Sequence, residues 1–298
     1  MLQSDITCAS YWITNPLNTV INNRSGGSDF YGFWYEIKEH PDGPSARNDI
    51  CPQGMALSKF DGNKAHSNDR FGLRIFVMTH LKNPCNAYRD DSKENPFADN
   101  PSYPITWTNF VSYRNHEDGV LAEEVGNMIF DSFYLLDNKQ SGFNSYLTNR
   151  TDEDVILRNS IIVGKTAGNH ATDGELDLTR GLITPRTDGF KADNVHFANF
   201  DGTMTVFKSI SFGFVLKKWV TGGKLSRFNQ ISYSGVTSGM IFWENWKREI
   251  YEDLDGSLTK RGVHSWVTPS GPHLSSQTEC ATSTAEGKAW DTGLICSK

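Results

Sequence analysis

The stretch FKADNVHFANF (190–200) sets Val195 and Phe197 on one parity and His196 and Ala198 on the other. An alternation of this kind, apolar against polar with period two, belongs to a strand with one face inward. Three other segments read the same way: WTNFVSYRN (107–115), MIFDSFYLLDN (128–138) and VILRNSIIVG (155–164). All are rich in β-branched and aromatic residues, which fit a pleated, half-buried surface. Long amphipathic helical runs are absent, so the pattern predicts an all-β chain.

Between the strands runs a short recurrent pattern of Asn, three residues and Gly. It occurs at Asn23–Gly27, Asn68–Gly72, Asn115–Gly119 and Asn138–Gly142, with asparagines 45, 47 and 23 residues apart. Asn159, Asn199 and Asn245 continue it at 21, 40 and 46 residues. These intervals approximate one or two units of about 20–24 residues, as expected of a solenoid whose rungs each supply a few short strands. Asn suits the corners because its amide bonds nearby backbone and tolerates left-handed φ. Stacked amides also bond along the axis as a ladder. The Gly four positions later is expected to supply a corner with φ > 0. Asn194 and Asn199 are then corners of one coil, with Val195, Phe197 and Phe200 as its wall.

Long polar excursions interrupt the pattern at 38–54, at 82–104 with its four prolines, at 217–227, and in a loop-rich tail from about 255. None has the composition of a linker or a second domain. A single solenoid domain over 1–298 is the expectation.

Net charge is −6, which gives no global reason to expect nucleic acid as a partner. No apolar run reaches the ~18–20 residues that span a bilayer, and the start MLQSDITCAS lacks the layout of a signal peptide. Cysteines and sequons point the other way, to an oxidising, extracellular setting. Cys51 and Cys85 fall in the first two excursions, one rung apart; a clasp between them is one reading and two free thiols the other. Cys280 and Cys296 flank a polar tail, where a disulfide closing roughly 15 residues contributes about 3 kcal/mol. Asn23-Arg24-Ser25 and Asn149-Arg150-Thr151 are glycosylation sequons.

Several co-linear segments carry a resemblance: YWITNPLNTVINNRSGGSDFYGFWYEI, FDGNKAHSNDRFGLRIF, FDSFYLLDNKQSG, TPRTDGFKADNVHFANFDG and EIYEDLDGSLT. Together they resemble the fibrocystin/fibrocystin-L family and its hyaluronan-handling relatives, over roughly residues 9–298. The resemblance implies a right-handed parallel β-helix, part of a longer secreted or membrane-anchored protein. Some members of the family coat cilia or stereocilia, while others bind or depolymerise hyaluronan. Expected partners are therefore cell-surface or ciliary proteins, or extracellular glycans.

Five groups of residues are candidates for chemistry. Arg186, Asp188, Lys191 and Asp193 gather charge on one flank, where glycan cleavage needs paired carboxylates or a base with a cation; against this, RTDG is an ordinary turn. His66 and His116 follow corners read as corresponding, two rungs apart, and could line one edge as acid/base groups; solvated corner histidines are commoner. Lys217, Lys218, Trp219, Lys224 and Arg227 form a basic loop suited to an anionic polysaccharide, or simply a solvated excursion. Trp243, Trp246 and Tyr251 are a sugar platform or, more commonly, inward core. Asp253, Asp255 and Ser257 evoke a calcium loop, but Leu258 and His264 occupy the EF-hand positions that require Gly and Glu. No cofactor is expected beyond that one weighed calcium site. A structural or interaction role outranks glycan binding, and catalysis, if present, would be hyaluronidase-like.

Overall fold

The structure is a computed structural model describing residues 7–86, 97, 99–149, 151, 153–167, 180–185, 187–200, 208–211, 224–236, 240–241, 249–259, 264–269, 280–285 and 288–296. Short strands stack in parallel register on three faces. The first face holds Ala9–Ile13, Tyr31–Glu36, Phe71–Met78, Asp118–Val125, Ser141–Ser145, Arg180–Ile183, Lys208–Ser211 and Met240–Ile241. The second runs through Thr19–Ile21, Lys59–Asp61, Ile105–Thr108, Met128–Asp131, Lys224–Asn229 and Glu249–Asp253. The third runs through Arg24–Gly26, Lys64–His66, Val111–Tyr113, Tyr134–Leu136 and Ser232–Ser234. Val155–Val163 and Phe190–Ala198 are long enough to serve both the second and third faces. This is a parallel β-helix, and no α-helix occurs among the described residues.

Left-handed residues turn the chain between the second and third faces. Asn22, Gly62, Asn109, Ser132, Asn159, Asn194 and Gln230 all have φ between 48° and 66° and stand in register, one per rung. A second column holds Gly27, Ser67, Arg114, Asp137, Asn199 and Gly235. Asn194 and Asn199 are thus the two corners of one coil, as read from the sequence. The apparent single strands 107–115 and 128–138 break at Asn109 and Ser132. Rung length differs from the expectation. Successive residues of the first column are 40, 47, 23, 27, 35 and 36 positions apart, so intervals near 45 are one rung with an insertion and not two units.

The asparagine ladder is present and buried. Asn68 Nδ2 donates to Asn115 Oδ1 at 2.8 Å, and Asn115 Nδ2 donates to Asn138 Oδ1 at 2.8 Å. Each Oδ1 also accepts the backbone N–H of the asparagine one rung earlier, at 3.1 and 3.2 Å. Asn23 is not in this column: its register partner is Asn63, and Ser28 stands level with Asn68. Of the glycines four residues on, Gly27 has φ 72°, as expected, whereas those that follow the ladder asparagines, Gly72, Gly119 and Gly142, do not have positive φ. They are required for close approach. A Cβ on Gly119 would lie 2.6 Å from Asn138 Nδ2 and 2.6 Å from the Gly142 carbonyl, and Gly72 is crowded equivalently by Asn115 and Gly119.

Aromatic rings fill the interior along the axis. Phe33, Phe60, Phe110, Phe133, Phe130 and Phe143 make successive ring contacts at 5.0–5.6 Å, with Trp107 and Tyr35 beside them. Each fully buried ring contributes about 2–3 kcal/mol of hydrophobic stabilisation before ordering costs. Val195, Phe197 and Phe200 belong to this wall. The two early excursions leave from the same edge, after the first-face strands, and are joined by a Cys51–Cys85 disulfide. Beyond about 255, in the region expected to be loop-rich, Ser265–Pro269 pairs antiparallel with Glu249–Asp253, Lys288–Cys296 with Ser265–Pro269, and Cys280–Ala285 with Lys288–Cys296. Their register sets Cys280 directly opposite Cys296.

Candidate functional site

Alternation along Phe190–Ala198 points Lys191 and Asp193 to the outside of the second face, as expected. There they pair with each other at 2.9 Å, and Asn229 Nδ2 donates to Asp193 at 2.7 Å. One rung earlier Arg158 pairs with Asp131 at 2.7 Å. One rung later Arg227 Nη1 reaches both oxygens of Asp154, at 3.0 and 2.9 Å. Partial burial works to raise the pKa of Asp193, but the Asn229 amide and the Lys191 ammonium hold it below the usual carboxylate range. Asp131 is lowered for the same opposing reasons. Ionised, matched carboxylates make a charge ladder and supply no proton. Asp188 lies in the turn before this strand, where its carbonyl accepts the Thr148 hydroxyl. Arg186 lies outside the described residues.

The histidines are not brought together. His66 is level with Tyr113 on the adjacent rung and stacks on it at 4.8 Å. His116 is level with Asp69 and binds it at 3.0 Å in solvent. Numbering from unequal rungs misplaced the pair. The basic loop also changes form: Lys224 and Arg227 lie in a second-face strand, and Arg227 is ion-paired. Lys217, Lys218 and Trp219 lie outside the described residues, as do Trp243 and Trp246. Tyr251 is inward, its hydroxyl 2.9 Å from that of Thr184.

The acidic loop at 253–257 is closed by its own backbone. Asp253 accepts the amides of Gly256, Leu258 and Thr259 and the Thr259 hydroxyl, at 2.7–3.2 Å. Asp255 accepts from Gln230 N, Ser257 N and the Ser257 hydroxyl. Carboxylates so directed serve as turn caps. Among the described residues no cluster of three or more metal-ligating side chains occurs. Both sequon asparagines have hydrogen-bonded side chains. Asn149 is 6% exposed, and its Nδ2, the atom a glycan would occupy, donates to Thr79 Oγ1 and the Glu124 carbonyl, both at 2.9 Å. Asn23 Nδ2 donates to the Ile21 carbonyl at 3.1 Å.

The surface that the sequence did not announce is the outside of the first face. Tyr31 and Phe71 pack there with Trp34 and Leu121, although Phe33 and Leu73, two residues on, lie in the inner core. The inversion occurs across Gly32 and Gly72, where the ladder asparagines press in. Trp12, 59% exposed, stacks on Trp34 at 5.3 Å and 10°, and its Nε1 donates to Glu36 at 2.9 Å, which fixes the ring. The Arg74 guanidinium lies 5.5 Å from the Tyr31 ring centre and 5.8 Å from that of Trp34, and it pairs with Glu123 at 3.0 Å. Arg70 pairs with Glu117 at 2.9 Å.

At the same register as Tyr31 and Phe71 lies Asp118, 2% exposed. It accepts the Ser141 hydroxyl at 2.6 Å and the Asn144 amide at 3.0 Å. Burial pushes its pKa up to about 6, against those two donors. Burial also lowers that of Arg180, the charge that offsets it. The first face therefore carries an exposed ring, Trp12, fixed on a buried aromatic cluster bordered by matched ion pairs. The inverted column could have been found in RFGLR and EDGVL only by aligning them on their glycines.

Residues 2–73 match the CEMIP beta-helix family model. The chain is distantly homologous to human fibrocystin-L, at 27% identity over 99% of this chain and 7% of that protein. Mouse cell migration-inducing and hyaluronan-binding protein is 27% identical over 66% of this chain and 16% of its own length. The human cell surface hyaluronidase CEMIP2 is 26% identical over 58% of this chain and 12% of its own length. The chain thus spans a small fraction of each of these relatives.

Proposed function

We propose that the chain is a stiff β-helical segment of a larger extracellular protein, coating or spacing a cell or ciliary surface and meeting partners through its loops and first face. One observation carries this reading. On the described parts of the first and second faces, Arg70, Arg74, Arg158, Lys191 and Arg227 each have a carboxylate partner. A polyanion needs unmatched cations, whose counterparts it replaces. The recurring residues build corners, ladder and core, and the disulfide suits an oxidising compartment. Native imaging of the parent protein is expected to find it attached to a cell or ciliary surface. A dispersed, unattached protein overturns the reading.

A second reading is a segment that binds or depolymerises an anionic polysaccharide such as hyaluronan, favoured by what the two hyaluronan-related homologues are called and by Lys217 and Lys218 in the sequence. Incubating the purified chain with size-defined hyaluronan, with and without calcium across pH, separates the two. Shortened polymer establishes catalysis. Retention that weakens with salt and disappears in Lys217→Glu/Lys218→Glu establishes binding through that loop.

A further inference from the structure

Gln53 and Phe97, one from each clasped excursion, border a pocket of about 170 Å³ against the first-face edge. Its apolar wall is Val77, Leu81 and Phe97. Its polar side is Gln53, Thr79, Glu124 and Asn149. The walls are tied together: Thr79 N donates to the Gln53 carbonyl at 2.9 Å, Leu81 N to the Gly54 carbonyl at 3.0 Å, and Cys51 is bonded to Cys85. Val77 and Glu124 both have left-handed φ, 49° and 53°, and stand in register on adjacent rungs. For a β-branched valine that conformation is an outlier, held here by the surrounding rungs.

The chemistry of the lining is one-sided. Glu124 is the single ionisable residue of its described lining, and no basic side chain occurs among those described residues. The neighbouring Glu123 pairs with Arg74 and Glu117 with Arg70, whereas the Glu124 carboxylate has no ion pair or hydrogen bond among the described residues. Gln53 donates its amide nitrogen to the Ile37 carbonyl, which leaves its carbonyl oxygen as an acceptor. The Asn149 amide hydrogens are both used, on Thr79 and on the Glu124 carbonyl. What remains is an unmatched carboxylate with the Gln53 side-chain oxygen beside an apolar, aromatic wall. An anionic ligand is repelled. A neutral one would strip water from the carboxylate without replacing its charge.

We propose that this pocket binds a primary ammonium group carried on a short alkyl chain, the ammonium on Glu124 and Gln53 and the methylenes against Val77, Leu81 and Phe97. The volume suits a side-chain-sized ligand, comparable to cavities of about 150 Å³ that hold one benzene. The phenyl ring adds an attractive face for the cation. The same chemistry is presented by a lysine side chain of a partner protein and by a free diamine.

The test titrates the full chain with Nα-acetyl-lysine amide and with cadaverine, read by calorimetry and by ligand-observed NMR. The neutral isostere Nα-acetyl-norleucine amide and a panel of neutral monosaccharides are run beside them. Saturable binding of either amine, about tenfold weaker for norleucine amide and weakened by salt, is expected; the tighter amine identifies the source. Glu124→Gln is expected to weaken amine binding about tenfold or more with an unchanged circular dichroism spectrum. Gln53→Leu, which leaves the left-handed positions untouched, is expected to weaken it less. Amine binding that is absent, matched by norleucine amide, or unchanged in both variants overturns the proposal. So does Glu124-dependent binding of a monosaccharide in place of the amines.

Discussion

Asn68 and Asn115 are 47 residues apart in the chain, yet the side-chain amide of one donates to the other at 2.8 Å inside the coil. Asn115 passes the same bond on to Asn138, also receives the Asn68 backbone N–H, and bonds the Ser112 hydroxyl at 2.9 Å. A link of this kind couples rungs that share no local sequence. It makes the ladder a long-range constraint and not a turn preference.

Replacing Asn115 with Ala therefore leaves the buried backbone and side-chain donors of Asn68 unpaired and removes the donor to Asn138 Oδ1 and Ser112 Oγ. With each unsatisfied buried group costing about 1–3 kcal/mol, a loss of about 2–4 kcal/mol is expected. Urea unfolding checks it as a lower midpoint at unchanged slope. A loss below about 1 kcal/mol would show the ladder to be dispensable.

Gly119 and Gly27 separate crowding from backbone freedom. A Cβ on Gly119 meets the Gly142 carbonyl at 2.6 Å, while Gly27 has φ 72° and nothing within 4 Å. Gly27→Ala is expected to cost about 1 kcal/mol, the left-handed penalty alone. Gly119→Ala must displace backbone and the ladder, and is expected to cost about 2–4 kcal/mol. Thermal unfolding of the two variants side by side gives the order.

Asp118 imposes a pH slope. Its pKa is raised by burial to about 6 in the folded chain, against about 3.9 when unfolded. Between those values the folded state holds the proton more tightly, so this residue favours folding at pH 4 and loses that contribution as pH rises through 6. The swing is of the order of 2–3 kcal/mol. Asp193 and Asp131, with lowered pKa values, act oppositely: their contribution is present above the unfolded value near 4 and is lost as pH falls through the folded one. Asp118→Asn is expected to flatten the fall in stability between pH 4 and 6 and to leave the acid limb in place. Chemical denaturation at half-unit pH steps measures both limbs.

The Cys51–Cys85 bond closes a separation of 34 residues, for which chain entropy gives about 4 kcal/mol. Cys51→Ser/Cys85→Ser is expected to lower the melting temperature by several degrees. In the wild type, reductant should produce the same shift. Insensitivity to reductant would mean that the clasp adds nothing beyond the backbone bonds at Thr79 and Leu81.

Much of the fold was legible because its signals are local. Alternation marked Val195 and Phe197 as wall, and the tolerance of asparagine for left-handed φ marked Asn194 and Asn199 as corners. The ladder of Asn68, Asn115 and Asn138 followed from recurrence. What failed was non-local. The need for Gly72 and Gly119 arises from atoms of the next rung, which no local window contains. His66 and His116 were set in correspondence by counting residues, and insertions make counting unreliable; only register shows that their partners are Tyr113 and Asp69. The first-face surface stayed hidden because the glycine column inverts the side on which Phe71 and Asp118 lie, so simple alternation assigns them inward.

The corner columns hold their alignment while the chain between them varies from 23 to 47 residues. Coil geometry is thereby decoupled from segment length, as a spiral stair keeps its pitch whatever balconies are hung from it. The edge that already carries 38–54 and 82–104 is then a natural acceptor for foreign sequence: a peptide or small domain spliced there would be displayed at a chosen height along a rigid rod, leaving the frame that carries it unaltered.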